Sequence, residues 1–237
     1  MKIKIIAIGL IICTGLTMSF TQQNNLDKSK MEKANILYVF DPLCGWCYGF
    51  EPVMMQFQEK YKDKVNLEVI PGGMVPKKYA RPISTMRPFL EEAIPQLEKR
   101  TGITIAKSYY DSILYKHGVV LNSELPSQVF MAALESYKGR EVFLAKEIQD
   151  LLYQKGKDIS QLEVFSSIEG LDLTLLETEE TTKKMNNAFA RSRQLGVTSY
   201  PALLIEVEGK YYPLCNGYTD YEHLSKVTDK FLKQLNK

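Results

Sequence analysis

The sequence predicts an α/β fold: a central mixed sheet with flanking helices, interrupted by an all-helical insertion. Three observations predict it. Short β-branched and aromatic runs stand only near the two ends of the chain, "ILYVF" and "VNLEVI" early, "ALLIEV" and "KYYPLC" late. Between them a long stretch carries helical periodicity and no convincing strand. The early pair is separated by a helical pattern and the late pair by a two-residue turn, so the sheet mixes a parallel crossover with an antiparallel hairpin. The order β-α-β, helical block, α-β-β-α fits a sheet covered by helices.

Composition is ordinary for a globular chain: 237 residues, 45% hydrophobic, 24% charged. A net charge of +2 gives no reason to expect a nucleic-acid partner. There is no internal repeat, low-complexity tract or long run of like charge. Residues 1–20 form a distinct segment, with Lys2 and Lys4 ahead of an apolar stretch from Ile5 to about Phe20. That is the layout of a secretory signal. It is short for a membrane span, which takes roughly 20 apolar residues. The best small-residue cleavage site is "TMS", ending at Ser19. An uncleaved anchor, lipid attachment at Cys13 and a cytoplasmic form starting at Met31 are the alternatives. Cleavage removes Lys2 and Lys4 and no acid, taking the net charge from +2 to 0. The mature chain is then expected to be periplasmic or otherwise extracytoplasmic, without a stable membrane span. Residues 21–34 read as a polar linker.

The elements follow in order. Ile36–Phe40 is a buried strand, stopped by Asp41-Pro42. From about Cys44 to Tyr61 the pattern turns helical, with Phe50, Val53, Met54 and Phe57 on one face. Val65–Ile70 is the second strand, ended by "PGG". Residues 74–178 form the helical insertion, its start punctuated by Pro76, Pro82, Pro88 and Pro95. Pro126 opens one helix, Leu144, Ile148, Leu151 and Leu152 face inward on another, and Asp158 is expected to cap a third that carries Leu162 and Phe165. A helix over about Glu179–Gln194 buries Met185, Ala188 and Phe189. Ala202–Val207 and Lys210–Cys215 then flank Glu208-Gly209, and a last helix, about Tyr221–Leu235, buries Leu224, Val227, Phe231 and Leu232. Residues 35–73 and 179–237 thus make the sheet domain around the insertion.

The chemistry is expected at "DPLCGWCYGF". Cys44 and Cys47 sit between a strand and a helix, with the single tryptophan, Trp46, between them. A thiol at a helix N-terminus meets unpaired N–H groups and the positive end of the helix dipole, which favour the thiolate. Cys44 is then the attacking sulfur and Cys47, one turn in and more buried, its resolver. A zinc site takes about four ligands, and only His117 and His223 are available besides, far apart and out of ligand spacing. A structural disulfide would close too short a loop to contribute much. Two inert core thiols would have no reason to open a helix. No metal and no cofactor are expected. Far downstream, Tyr200-Pro201 precedes a strand, where proline has no N–H to give the ladder. Aromatic-proline bonds are among the more frequent cis bonds, although a trans proline opening a strand is the commoner case.

This combination resembles the thioredoxin superfamily: strand, Cys-x-x-Cys at a helix start, then "Gly-Val-x-x-aromatic-Pro" before a hairpin and a final helix. The long helical insertion resembles the DsbA branch. "DPLCGWCYGFEP" and "PGGM" are most similar to its FrnE-like members, which carry the name protein-disulfide isomerase. The resemblance spans roughly Asn35 to Leu235. It implies a thioredoxin-like fold and thiol–disulfide exchange with protein or peptide substrates, as oxidase or isomerase, with a redox partner to recycle the pair. It also implies that Pro201 is cis and faces Cys44 and Cys47, and that Tyr200 offers its backbone to an extended substrate. Trp46, in a loop that must meet substrate, is read as a contact residue. Cys215, at the end of a strand, is read as a core thiol. Gly45-Trp46 departs from both the Pro-His of DsbA and the Gly-Pro of thioredoxin, which leaves the direction of electron flow open. A glutathione-dependent transferase or isomerase of the same fold, and a non-catalytic chaperone or binding module, are the rival readings.

Overall fold

The computed structural model describes residues 33–176 and 178–235. The expected export signal, Cys13, the start at Met31 and most of the polar linker lie outside the described residues. From Lys33 onward the chain forms one compact unit. Its elements are β1 (Ala34–Phe40), α1 (Gly45–Tyr61), β2 (Val65–Pro71), β3 (Arg81–Pro82) and α2 (Arg87–Thr101). α3 (Lys107–Tyr109) runs into a π-helical turn over Tyr110–Leu114. β4 (Val120–Leu121), α4 (Glu124–Ala133), α5 (Glu141–Tyr153) and α6 (Glu179–Gln194) follow. β5 (Ala202–Val207), β6 (Lys210–Asn216) and α7 (Tyr221–Leu235) close the chain.

The main sheet has the order β2-β1-β5-β6. β2 runs parallel to β1, and β5 runs antiparallel to both β1 and β6. β1 is central, and its pleat sorts its side chains between two layers. Ile36, Tyr38 and Phe40 join the large core beneath α1 and the insertion. Leu37 and Val39 join a smaller cluster with Ile70 and Ala188. Each such side chain taken fully from water contributes roughly 1.5–3 kcal/mol. The expected hairpin is present. Glu208 (φ 52°) and Gly209 (φ 74°) both adopt positive φ, as a two-residue hairpin turn requires.

The insertion has no core of its own. Phe40 of β1 packs edge-on against Phe130 of α4 at 4.9 Å, and Ile94, Leu97, Leu144 and Ile148 belong to the same cluster as the sheet. Three expectations change here. The block is not wholly helical, because Arg81-Pro82 pairs antiparallel with Val120-Leu121; two residues are too few to show a period in sequence. Of the prolines that punctuate its start, Pro95 lies inside α2 and Pro88 occupies the first turn of that helix, where a missing N–H costs nothing. Asp158 caps no helix. Its carboxylate accepts from Ser160 N–H and hydroxyl, and Leu162–Ser167 is a 3-10 segment. In α7 only Leu224 of the four expected residues is fully buried; Val227, Phe231 and Leu232 pack against the core half-buried.

Candidate active site

Cys44 is the N-cap of α1, with extended backbone (φ −86°, ψ 110°), and its carbonyl accepts from Tyr48 N–H at 3.1 Å. Its side chain makes no capping bond, and the first turn of α1 holds no acid. The dipole and free N–H groups therefore act on the Cys44 sulfur without a competing carboxylate from the helix itself. Cys44 is 6% exposed and Cys47 is 0% exposed, and both are unbonded. Burial pushes the Cys47 thiol well above its ordinary range, and its hydrogen bond with Cys44 pushes the same way. One sulfur is thus reachable and the one behind it is held as a thiol.

The turn that presents Cys44 is held by the insertion. Asp41 is fully buried, and its carboxylate accepts from Leu43 N–H (3.0 Å), Met74 N–H (2.6 Å) and the Ser123 hydroxyl (2.9 Å). Burial raises its pKa to about 6 against the pull of these donors. The Gln149 amide of α5 lies 3.1, 3.4 and 3.2 Å from the carbonyls of Asp41, Pro42 and Cys44. Tyr153, one turn on, donates to the Leu43 carbonyl at 2.8 Å. Every carbonyl from Asp41 to Cys44 has a donor on α5, so the turn's shape is set from outside it.

The Tyr200–Pro201 bond is cis. The Tyr200 carbonyl accepts from the Cys44 thiol at 3.6 Å, so the segment before Pro201 meets the Cys44 sulfur. The Tyr200 ring lies across Gly72, and its hydroxyl donates to the Gly72 carbonyl at 3.0 Å. A Cβ on Gly72 would stand 2.0 Å from that ring. Gly72→Ala is therefore expected to cost about 1–3 kcal/mol by overpacking and to shift Tyr200 off Cys44. Urea denaturation together with the rate of thiol alkylation checks both; unchanged values in both would show that the ring yields freely.

Trp46 is half-buried, with its ring 6.1 Å from Tyr218. Cys215 is half-buried on β6 opposite Leu203, rather than deep in the core, and burial raises its thiol to about 12. His117 and His223 are exposed, and among the described residues no cluster of three or more metal-ligating side chains occurs. Glu51, one turn beyond Cys47 on α1, is buried, and desolvation lifts its carboxyl far above the usual range. A cavity of about 500 Å³ opens beside Cys44, walled by Trp46, Tyr200 and the insertion. Sequence reasoning missed Asp41, Gln149, Tyr153 and Gly72. The one legible signal was an acid placed just after an apolar strand and three residues before a cysteine.

A cysteine pair at the start of the first helix, with Cys44 as its cap, met by a cis-proline segment and braced by a helical insertion, is the arrangement of a DsbA-like thioredoxin fold. A family model described as thioredoxin matches residues 37–221, and the chain belongs to that family. Among solved structures it is similar to a protein from Nitrosomonas europaea assigned provisionally as a protein disulfide isomerase. The TM-score is 0.73 at 22% identity, covering 86% of this chain and 99% of that one. It is also similar to the cytosolic disulfide reductase DsbM of Pseudomonas aeruginosa, with a TM-score of 0.64 at 23% identity over 84% and 97% of the two chains. Reduced DsbA1 of Neisseria meningitidis matches with a TM-score of 0.52 at 12% identity, over 86% and 87%. No curated protein matches the sequence.

Proposed function

We propose that the chain is a thiol–disulfide oxidoreductase that exchanges disulfides with protein or peptide substrates through Cys44 and Cys47. One observation carries the reading: Cys44 caps α1 with its sulfur at a cavity wall, while Cys47 lies fully buried behind it. In the reducing direction the Cys44 thiolate attacks a substrate disulfide. A Cys44–substrate bond forms, the substrate bond breaks, and the second substrate sulfur leaves as a thiolate that takes up a proton. Cys47 then loses its proton and attacks Cys44, releasing the first substrate thiol and leaving the Cys44–Cys47 disulfide. The oxidising direction is the reverse, and a second thiol–disulfide couple must reset the pair. Exchange requires a thiolate and a good leaving group, and a helix N-terminus is a place where free N–H groups and the dipole stabilise an anion.

The test is mass spectrometry of the purified chain with and without reductant, expecting reversible loss of two hydrogens localised to Cys44 and Cys47. An unchanged mass in oxidising glutathione buffer sinks the reading. The same buffer series yields the reduction potential, which decides between oxidase, isomerase and reductase. Export to an extracytoplasmic compartment is part of the proposal and rests on Lys2, Lys4 and the apolar stretch after them. Cell fractionation with Edman sequencing tests it: recovery of the chain from the cytoplasm alone overturns export, and an intact Met1 on exported chain overturns cleavage.

A further inference from the structure

β2 lies at an edge of the main sheet, and its first half faces a groove of about 800 Å³. The Ala34 N–H donates to the Lys64 carbonyl at 3.2 Å, and the Gly72 N–H to the Phe40 carbonyl at 2.7 Å. These two bonds fix the parity of the parallel ladder, in which the even-numbered residues of β2 bond β1. The N–H and carbonyl groups of Val65 and Leu67 therefore point outward. Among the described residues no main-chain group outside the ladder bonds them. Both residues line the groove. A row of unpaired main-chain groups at a sheet edge is a template for one more strand, and proline or a bulge commonly blunts it. β2 has neither before Pro71.

The rest of the lining comes from the outer face of α1, where Met55 is 39% exposed, and from the turn Lys138–Glu141. Gln58 ties that turn to α1 by donating to the Gly139 carbonyl at 2.8 Å. The charges round the groove are unbalanced: Lys33, Lys62, Lys138 and Arg140 against Glu59 and Glu141. Both acids are already engaged. Glu59 pairs with Lys62 at 2.5 Å, and Glu141 accepts from the Gly139 N–H at 2.7 Å. Arg140 lies over the rings of Tyr137 and Phe143, and among the described residues neither it nor Lys138 meets a carboxylate. Unpaired main-chain groups call for an extended chain, and unpaired cations beside them call for acids on it.

We infer that this edge docks an extended acidic segment of a partner protein. The segment adds as a fifth strand beside β2, with its carboxylates against Lys138 and Arg140. The groove lies where β1 and β2 begin, whereas Cys44 follows the end of β1. The 7 residues of β1, at about 3.3 Å each, set the two about 20 Å apart. A docked segment thus leaves the Cys44 sulfur open, and the inference stands independently of the oxidoreductase reading.

The test is fluorescence anisotropy of a short labelled peptide of alternating Val and Glu with the full chain, against the same peptide with Lys in place of Glu. The acidic peptide is expected to bind at least about tenfold tighter at low salt, with the margin shrinking as salt screens the charges. Lys138→Glu combined with Arg140→Glu is expected to bring the ratio to one or below. Leu67→Pro removes an outward N–H and spares the β1 ladder, as proline on an edge strand does. It is expected to weaken the acidic peptide about fivefold or more. Should that variant not fold, the amide resonances of Val65 and Leu67 in the unaltered chain decide in its place, and they are expected to shift as the peptide is added. Equal binding of the two peptides, or binding of neither, overturns the surface and leaves the cations as guards against edge pairing. Full-strength binding to Leu67→Pro, or unmoved Val65 and Leu67 amides, overturns strand addition. Sedimentation of the chain alone completes the test: a dimer that Leu67→Pro or Lys138→Glu dissociates gives the edge to a second copy and overturns the acidic partner.

Discussion

Cys44→Ser is expected to abolish disulfide exchange, by on the order of a thousandfold or more, the scale on which loss of a nucleophile acts. Cys47→Ser is expected to behave differently. It retains the first attack and accumulates a Cys44–substrate mixed disulfide that only external thiol releases. The asymmetry comes from position. Cys44 caps α1 and reaches the cavity, whereas Cys47 has no exposed surface and is held protonated by burial and by its neighbour. Intact-mass measurement after mixing each variant with a peptide disulfide separates the two. Equal trapping by both variants would mean that either sulfur reaches substrate, and would remove the division of labour. A glutathione-dependent transferase, by contrast, would keep turning over an electrophile with glutathione after loss of Cys47.

Asp41→Ala should be the most damaging substitution outside the cysteine pair. The carboxylate is the acceptor for Leu43 N–H, Met74 N–H and the Ser123 hydroxyl in a site closed to water. Each donor stranded there costs about 1–3 kcal/mol, so a loss of about 3 kcal/mol or more is expected in urea denaturation. Asp41→Asn tests the charge separately. Because burial raises the folded-state pKa from 3.8 to about 6, the folded chain holds a proton that the unfolded chain has released between those values. The group's contribution is therefore full below about pH 4 and is lost as pH rises through about 6, a change of about 3 kcal/mol. Asn does not titrate, so the stability difference between the two proteins should move by about that amount in the variant's favour from pH 4 to pH 7. A flat difference would place the Asp41 pKa at its ordinary value. The charge thus costs stability at neutral pH, while the Cys47 thiol is held protonated chiefly by its burial and by Cys44, with the Asp41 carboxylate adding a smaller push the same way.

Much of the fold was legible because its signals are local. β1 and β2 announce themselves by β-branched and aromatic runs and α6 by an apolar face at helical spacing, with boundaries close to those expected, and α5 shows the same kind of face. The Cys44–Cys47 pair was legible for the same reason, since a strand stop, two cysteines and a helix start lie within ten residues. β3 and β4 were not, because a two-residue pairing exists only through its partner. Asp158 misled because an acid ahead of an apolar run can close its own turn as readily as it can cap a helix.

The parts of the site that were missed share one property: they act across distance in the chain. Gln149 reaches the Asp41 carbonyl from 108 residues away, and Tyr200 reaches the Gly72 carbonyl from 128. Nothing local marks Gln149 as different from any other glutamine on an amphipathic helix, or Gly72 as more than a turn residue. The sequence alone determined the sheet and helix order and the cysteine pair proposed for the redox chemistry, because strand runs, helix faces and a helix-capping cysteine are properties of neighbours. Only the tertiary structure decided what holds and surrounds that chemistry. The buried Asp41 carboxylate, the α5 side chains on the Cys44 turn, the Gly72–Tyr200 fit and the cavity beside Cys44 all depend on which surfaces the folded chain brings together and closes to water.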